Sequence, residues 1–430
     1  MKKNLMVRIF VAFVIGLVVG ILLWISGVNI SLYLAIVSPF GNVLVSMLKM
    51  IVVPVIFLSL ISGSASLPTG KFGKIGLKVI IWYFVTSLLA AFVGSILALF
   101  FNPGSGATIS AWSSLASSNT TLVVAGTTSA SGAITDVLVG MFKNPFEALS
   151  NGDFLAIIVF SIAFGLALKL IYDDKKTSDA MRAKIDVVFN IIDVTKEAIF
   201  KMVDWILAYT PIGVFALTSC NFANYGSALF GPYVSLTIGV ICGVIFMIVA
   251  VYPIMLFLVT KQNPFKTLKI ISEASLTAFV TRSSAATLPV SLTVADDRLN
   301  VDPALSAFAL PLGATINMDG VCVHLPFFAV LAANMFGIHL GFSGLTLLVL
   351  TTVLASVGAG GVPGGSLMLL FIILQNMGLD TAQTSIIVGL ALGINPILDM
   401  FETMNNVTGD LVCTFAVGFN SDMIGKSVKE

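Results

Sequence analysis

Asn395-Pro-Ile-Leu-Asp-Met-Phe-Glu-Thr-Met-Asn-Asn-Val-Thr-Gly-Asp410 is the stretch on which the reading of this 430-residue chain turns. It sets three carboxylates, Asp399, Glu402 and Asp410, in otherwise apolar sequence. On an α-helix, positions 399, 402, 403, 406 and 410 fall within a sector of roughly 100°, so Asp399, Glu402, Thr403, Asn406 and Asp410 form one polar stripe. A stripe of acids on a hydrocarbon-buried helix is costly and marks a cation or substrate pathway.

The surroundings of the stripe are those of a membrane. The chain is 57% hydrophobic and only 10% charged, whereas a soluble domain carries about a quarter charged residues. Apolar runs such as 9–25, 79–101 and 234–259 reach the length, about 20 residues, that crosses a bilayer. No ten-residue alternation of a porin occurs, so the spans are helical. The basic start, Met1-Lys-Lys, with no small-residue cleavage site after the first apolar run, reads as a retained first helix. A net charge of +1 gives no footprint for a nucleic-acid partner. Cys220, Cys242, Cys322 and Cys413 lack CxxC spacing and read as buried thiols.

Basic residues choose the orientation. Lys2, Lys3 and Arg8 precede the first span; Lys71, Lys74 and Lys78 follow the second; Lys175, Lys176, Arg182 and Lys184 follow the fourth; Lys261, Lys266 and Lys269 follow the sixth. Residues 102–135 carry no charge. Lys and Arg accumulate on the cytoplasmic side, which predicts cytoplasmic termini and an outside loop around 104–134. Six spans are expected at about 7–26, 40–66, 77–103, 131–171, 187–220 and 231–260.

Beyond residue 265 the pattern changes. Segment 274–296 is interrupted by Thr281-Arg-Ser-Ser-Ala-Ala-Thr-Leu-Pro289, and segment 345–377 by Gly358-Ala-Gly-Gly-Val-Pro-Gly-Gly-Ser366. Such breaks read as re-entrant helical hairpins, because irregular backbone at that depth survives only beside a polar cavity. Paired broken segments point to a transporter's binding site. Each precedes a long apolar segment with a polar interior, 303–337 with Asn317-Met-Asp-Gly320 and 384–418 with the stripe, and the order hairpin–helix–hairpin–helix reads as an inverted repeat. Asp319, Asp399, Glu402 and Asp410 share this region with one nearby base, Arg282. Uncompensated buried charge costs several kcal/mol per ion, so cations, protons or a substrate's amino group must offset it. Hard oxygen ligands suit Na⁺.

These motifs together resemble the dicarboxylate/amino acid:cation symporter family, the family of the glutamate transporters. Arg282-Ser-Ser-Ala-Ala-Thr-Leu-Pro289 is similar to its first hairpin, Pro311-Leu-Gly-Ala-Thr-Ile-Asn-Met-Asp-Gly320 to its seventh helix, Gly361-Val-Pro-Gly364 to its second hairpin tip, and the stripe to its eighth helix. The resemblance runs along essentially the whole chain. It implies an all-α integral membrane protein of eight transmembrane helices plus two re-entrant hairpins, working as an elevator in a homotrimer. By that likeness residues 1–76 are scaffold helices 1 and 2. Residues 77–130 hold helix 3 of the transport domain and the outer loop, and 131–225 scaffold helices 4 and 5. Residues 226–430 complete the transport domain with helix 6, hairpin 1, helix 7, hairpin 2 and helix 8.

The resemblance also implies site residues. Arg282, Ser283, Ser284, Val321, Val362, Gly364, Asp399, Glu402, Thr403 and Asn406 would border the substrate, with Asp399 on its amino group, Asn406 on its α-carboxylate and Val362 closing over it. Gly313, Asn317, Asn406 and Asp410 would form one sodium site. Thr315, Met318, Ser356, Val357 and Ala359 would form a second. Tyr83, Thr86, Ser87, Asn317 and Asp319 would form a third. Two or three co-transported Na⁺ per protomer follow.

Departures from the family pattern narrow the substrate. Acidic-substrate members carry Arg where this chain has Glu402, Thr where it has Val321, and Gly where it has Phe401. A cation and a donor have become an anion and a methyl group, and a like charge in a buried site excludes glutamate or aspartate. Glu402 beside Thr403 is similar to the bacterial sodium/serine-threonine branch. The expectation is a sodium-coupled importer of small neutral amino acids, serine and threonine first, in the plasma membrane. Alanine, cationic or acidic amino acids, or proton coupling, are the alternatives within the fold. A membrane enzyme is disfavoured: the glycine-rich 358–364 lacks GxGxxG spacing, and His324 and His339 belong to no HExxH motif or triad. A passive channel would not concentrate a solute.

Overall fold

The structure is a computed structural model. It describes residues 2–65, 73–105, 139, 141–358 and 364–425. The expected outer loop, and Ala359, Gly361, Val362 and Pro363 at the tip of the second hairpin, lie outside the described residues.

The described chain is helical almost throughout. It begins with α1 (Lys2–Ser26), α2 (Ser31–Ala65) and α3 (Gly73–Phe101). A short α4 (Pro145–Asn151) leads into α5 (Phe154–Asp173) and the long α6 (Asp179–Tyr225). A single turn joins α6 to α7 (Phe230–Phe246), and a π-bulge at Met247–Val251 joins that to α8 (Tyr252–Thr260). Then come α9 (Pro264–Thr281), α10 (Ser284–Thr293), α11 (Pro303–Ile316), α12 (Asp319–Phe336), α13 (Phe342–Ser356), α14 (Gly365–Asn376) and α15 (Thr381–Asn420). Among the described residues seven helical stretches are long and apolar enough to cross a membrane, and the one bridge outside helices pairs Val301 with Ile424.

Helix starts follow local chemistry. Asn144, Asn263 and Asp302 each cap a helix with a side-chain oxygen and are followed by proline, whose missing N–H costs nothing at the first helical position. Asp380 and Gln383 close a reciprocal capping box at the head of α15, with N–H···O distances of 2.8 and 3.0 Å. Pro54, Pro211, Pro311, Pro326 and Pro396 stay inside their helices, as neighbouring helices in a membrane protein allow.

Packing divides into two neighbourhoods. α1 and α2 lie along α6, and α2 also lies on α5. α3, α9, α11, α12 and α14 gather on or around α15. α12 is buried along nearly its whole length, whereas α1 turns Phe10, Val14, Leu22 and Ile25 outward.

Three expectations change. The fourth span, expected over 131–171, is described as helix only from Phe154, after α4 and a left-handed Gly152. The first hairpin break is two residues, not nine. Arg282 closes α9 in the left-handed conformation (φ 55°), and Ser283 at once caps α10 by accepting the Ala286 N–H at 3.2 Å. Segment 303–337 is not continuous. It splits at Asn317-Met318, where the side chains of Asn317 and Met318 bind groups on α3 and α15 instead of letting the helix run on.

Candidate functional site

The α15 stripe is buried at every position, Asp399, Glu402, Thr403, Asn406 and Asp410 alike. Its members meet different partners.

Asp399 sits where the two hairpin breaks converge. Its Oδ2 accepts from Arg282 Nε at 2.9 Å and Nη2 at 2.8 Å, and from the Gly364 N–H at 3.2 Å. Arg282 ends α9 and Gly364 (φ 80°) opens α14, so one carboxylate oxygen ties together the interruptions of two hydrophobic segments. The left-handed geometry at Gly364 suits glycine, which has no Cβ to clash. Thr403 donates to the Asp399 carbonyl at 2.7 Å.

Glu402, one turn on, does not share Arg282. Its Oε1 lies 2.5 Å from His324 Nδ1, both side chains being 1% exposed. The imidazole is not turned into hydrogen-bond alignment, and no described donor reaches either carboxylate oxygen. α12 approaches so closely because residue 320 is glycine: a Cβ there would lie 2.6 Å from Glu402 Cα. Val321 is buried next to it. Phe401 packs edge-on against Phe279 of α9, with ring centroids 5.0 Å apart, so its bulk is spent against the first hairpin.

Asn406 fastens α15 to the α11–α12 break. Its Oδ1 accepts the Gly320 N–H at 2.7 Å, and its Nδ2 donates to Met318 Sδ at 3.3 Å. Below it, Asp410 Oδ1 accepts from Asn317 Nδ2 at 3.0 Å, and Asn317 Oδ1 accepts from Thr86 Oγ1 at 3.3 Å. Asp319 takes Ser87 Oγ at 2.9 Å on one oxygen and Tyr252 Oη at 2.8 Å on the other. Tyr83 donates to the Ala309 carbonyl at 2.9 Å. Gly313 and Gly409 make room: a Cβ at 313 would sit 2.5 Å from Tyr83 Oη, and one at 409 would sit 2.7 Å from Tyr252 Oη.

The expected residues are thus partly brought together. Arg282, Gly364 and Asp399 meet directly. Tyr83, Thr86, Ser87, Gly313, Asn317, Asp319, Asn406 and Asp410 form one buried cluster of carboxylate, amide and hydroxyl oxygens, the hard donors that suit Na⁺. Among the described residues no lysine or arginine pairs with Asp319 or Asp410. The Thr315 and Ser356 hydroxyls bond carbonyls of their own helices, Leu312 at 2.7 Å and Val353 at 2.8 Å. Ser283 serves as a helix cap and Ser284 is buried at the start of α10. Ala359 and Val362 lie outside the described residues. Two residues escaped sequence reasoning. His324, which belongs to no motif, abuts Glu402. Tyr252 was hidden in the apolar run 234–259. The one signal for His324 is its place a helical turn beyond Gly320.

The match to known proteins covers this whole arrangement. The model of the sodium:dicarboxylate symporter family matches residues 5–418. The chain belongs to this family of symporters. A serine/threonine transporter of Acinetobacter baumannii (strain AYE) is 28% identical over 425 residues, 98% of each chain. A proton/sodium-glutamate symport protein of Bacillus caldotenax is 31% identical over 415 residues, 95% of this chain and 92% of its own. Excitatory amino acid transporter 4 of mouse is 28% identical over 438 residues, 86% of this chain and 75% of its own. A multi-pass membrane protein of a sodium-symporter family is therefore the frame for the site.

Proposed function

We propose that this symporter couples inward Na⁺ flow to the import of small neutral amino acids, with serine and threonine as its first substrates. The observation that carries the reading is Glu402, a buried carboxylate at the place where acidic-substrate members of the family hold Arg. A glutamate or aspartate side chain would meet like charge there. A hydroxyl would find an acceptor. The name of the Acinetobacter relative, a serine/threonine transporter, supports the same substrates.

In this reading Asp399 exchanges part of its Arg282 bond for the substrate's amino group, and Asn406 takes the α-carboxylate. Arg282, Ser283, Ser284, Val362, Gly364 and Thr403 border the bound molecule. Two or three Na⁺ bind per protomer, at the sites expected from the family likeness. The protein works as a homotrimer in the plasma membrane with cytoplasmic termini. Residues 1–76 and 131–225 form a scaffold against which 77–130 and 226–430 carry substrate across as an elevator of helices and hairpins. The packing of α1, α2 and α6 on one side, and of the elements around α15 on the other, supports that division.

The test is uptake of labelled serine by proteoliposomes holding the purified chain. Sodium-gradient-driven accumulation, competed by threonine and not by glutamate, is expected. Serine entry that proceeds equally with K⁺ on both sides refutes the coupling. Entry driven by a pH gradient alone moves the reading to protons.

A further inference from the structure

Glu402, which the proposed function sets beside the substrate's side chain, abuts His324. The rest of this inference rests on the function proposed above. Glu402 projects from α15 at the point where Gly320 lets α12 come within backbone contact, and its carboxylate meets His324 one turn further along α12. Val321 and His324, three residues apart, share that face of α12. The imidazole is fixed by Phe328, whose ring stands edge-on at 4.7 Å between centroids and is wholly buried. Both members are shut from water, and among the described residues no lysine or arginine pairs with Glu402. The imidazole occupies the space in front of one carboxylate oxygen. One oxygen faces the ring, and Oε2 has no described partner.

We propose that His324 is a specificity-positioning residue: its imidazole stands against one oxygen of Glu402 and leaves the other for a substrate hydroxyl. With His324 against one oxygen, the geometry leaves Glu402 room for a single donor. Serine and threonine bring a hydroxyl donor.

The experiment compares wild type with His324→Phe and His324→Gln, as full-length protein in proteoliposomes, for sodium-driven uptake of serine and of alanine and for inhibition by lysine. Phenylalanine keeps the ring volume without a nitrogen; glutamine keeps a neutral donor. The expected result is that His324→Phe lowers the serine-over-alanine ratio of Vmax/KM about tenfold, the discrimination of one charge-assisted hydrogen bond. The change lies in the KM for serine, with the KM for sodium and alanine uptake unaltered. His324→Gln keeps most of the preference. Lysine does not compete in the wild type. Should either variant enter the membrane poorly, the same ratio is read in detergent from sodium-dependent thermal shifts with serine and alanine.

An unchanged ratio in His324→Phe, alongside a lowered one in Glu402→Gln, overturns the role of His324 and leaves the proposed function standing. Lysine competing with serine in the wild type overturns the reservation of that oxygen for a hydroxyl. Absence of sodium-driven serine uptake in the wild type is the separate failure of the function itself.

Discussion

Asp399 and Glu402, in the first half of the α15 stripe, meet groups that carry or can carry positive charge, Arg282 and His324. Asn406 and Asp410, two turns further on, meet an amide, a backbone N–H and a thioether, with Asp319 close by among hydroxyls. Five residues on one helix face thus occupy two electrostatic regimes. In the first half Asp399 is balanced by Arg282 and can trade that partner for a ligand. The second half has donors and no described cation, so its balance must come from outside. That contrast matches the substrate end and the ion end of the proposed function.

The largest effect should follow from cutting the first half. Asp399→Asn strands a guanidinium that is 13% exposed, and breaking a buried pair costs about 3–5 kcal/mol. Uptake of every amino acid should fall at least two orders of magnitude. Adding Arg282→Met should restore the melting temperature in detergent and leave uptake lost. Recovery of uptake in the double variant would show that the pair is purely structural.

Next in size is the second half. Asp410→Asn removes the charge that would hold Na⁺ while keeping the shape that receives Asn317. The KM for sodium should rise about tenfold or more, the weight of one charged ligand. Serine KM at saturating sodium should stay near the wild-type value. A change confined to serine would reverse the assignment of the two ends.

Two glycines sharpen the division. Alanine at 320 pushes against the Glu402 backbone, and alanine at 313 pushes against Tyr83 and Asp410. Each overpacking costs about 1–3 kcal/mol, read as a lowered melting temperature. Gly320→Ala should disturb serine-over-alanine preference, and Gly313→Ala the sodium dependence. Identical phenotypes would mean that the stripe acts as one unit.

Much of this was legible before any coordinates. Mean composition announced a membrane protein, and the helical period placed 399, 402, 406 and 410 on one face. The serine- and glycine-rich breaks marked the two places where Arg282 and Gly364 now meet Asp399. What could not be read was pairing across elements. Arg282 was open to either Asp399 or Glu402, and only the close approach of α12 at Gly320 hands Glu402 to His324. Nor could periodicity show that α11 and α12 part at Asn317-Met318. That break arises from bonds to Thr86, Asn406 and Asp410, which lie far away in sequence. Tyr252 was invisible because a lone tyrosine in an apolar run has no local partner to betray it.

The finest cut is at Ser87. Its hydroxyl donates to Asp319 Oδ1, while Tyr252 holds Oδ2. Ser87→Ala leaves that carboxylate one donor short in a site shut from water, a loss of about 0.5–1.5 kcal/mol for a single hydrogen bond. If Asp319 belongs to the ion end, the missing donor makes its oxygen more available to a cation but less well placed. The KM for sodium should move threefold to tenfold at most, with serine-over-alanine preference untouched. Tyr252→Phe removes the other donor and should act in the same direction with similar size. The double variant should exceed the sum, since the carboxylate then loses the Ser87 and Tyr252 donors together. Strict additivity would place Asp319 outside the ion end, as a structural anchor for α3 and α8.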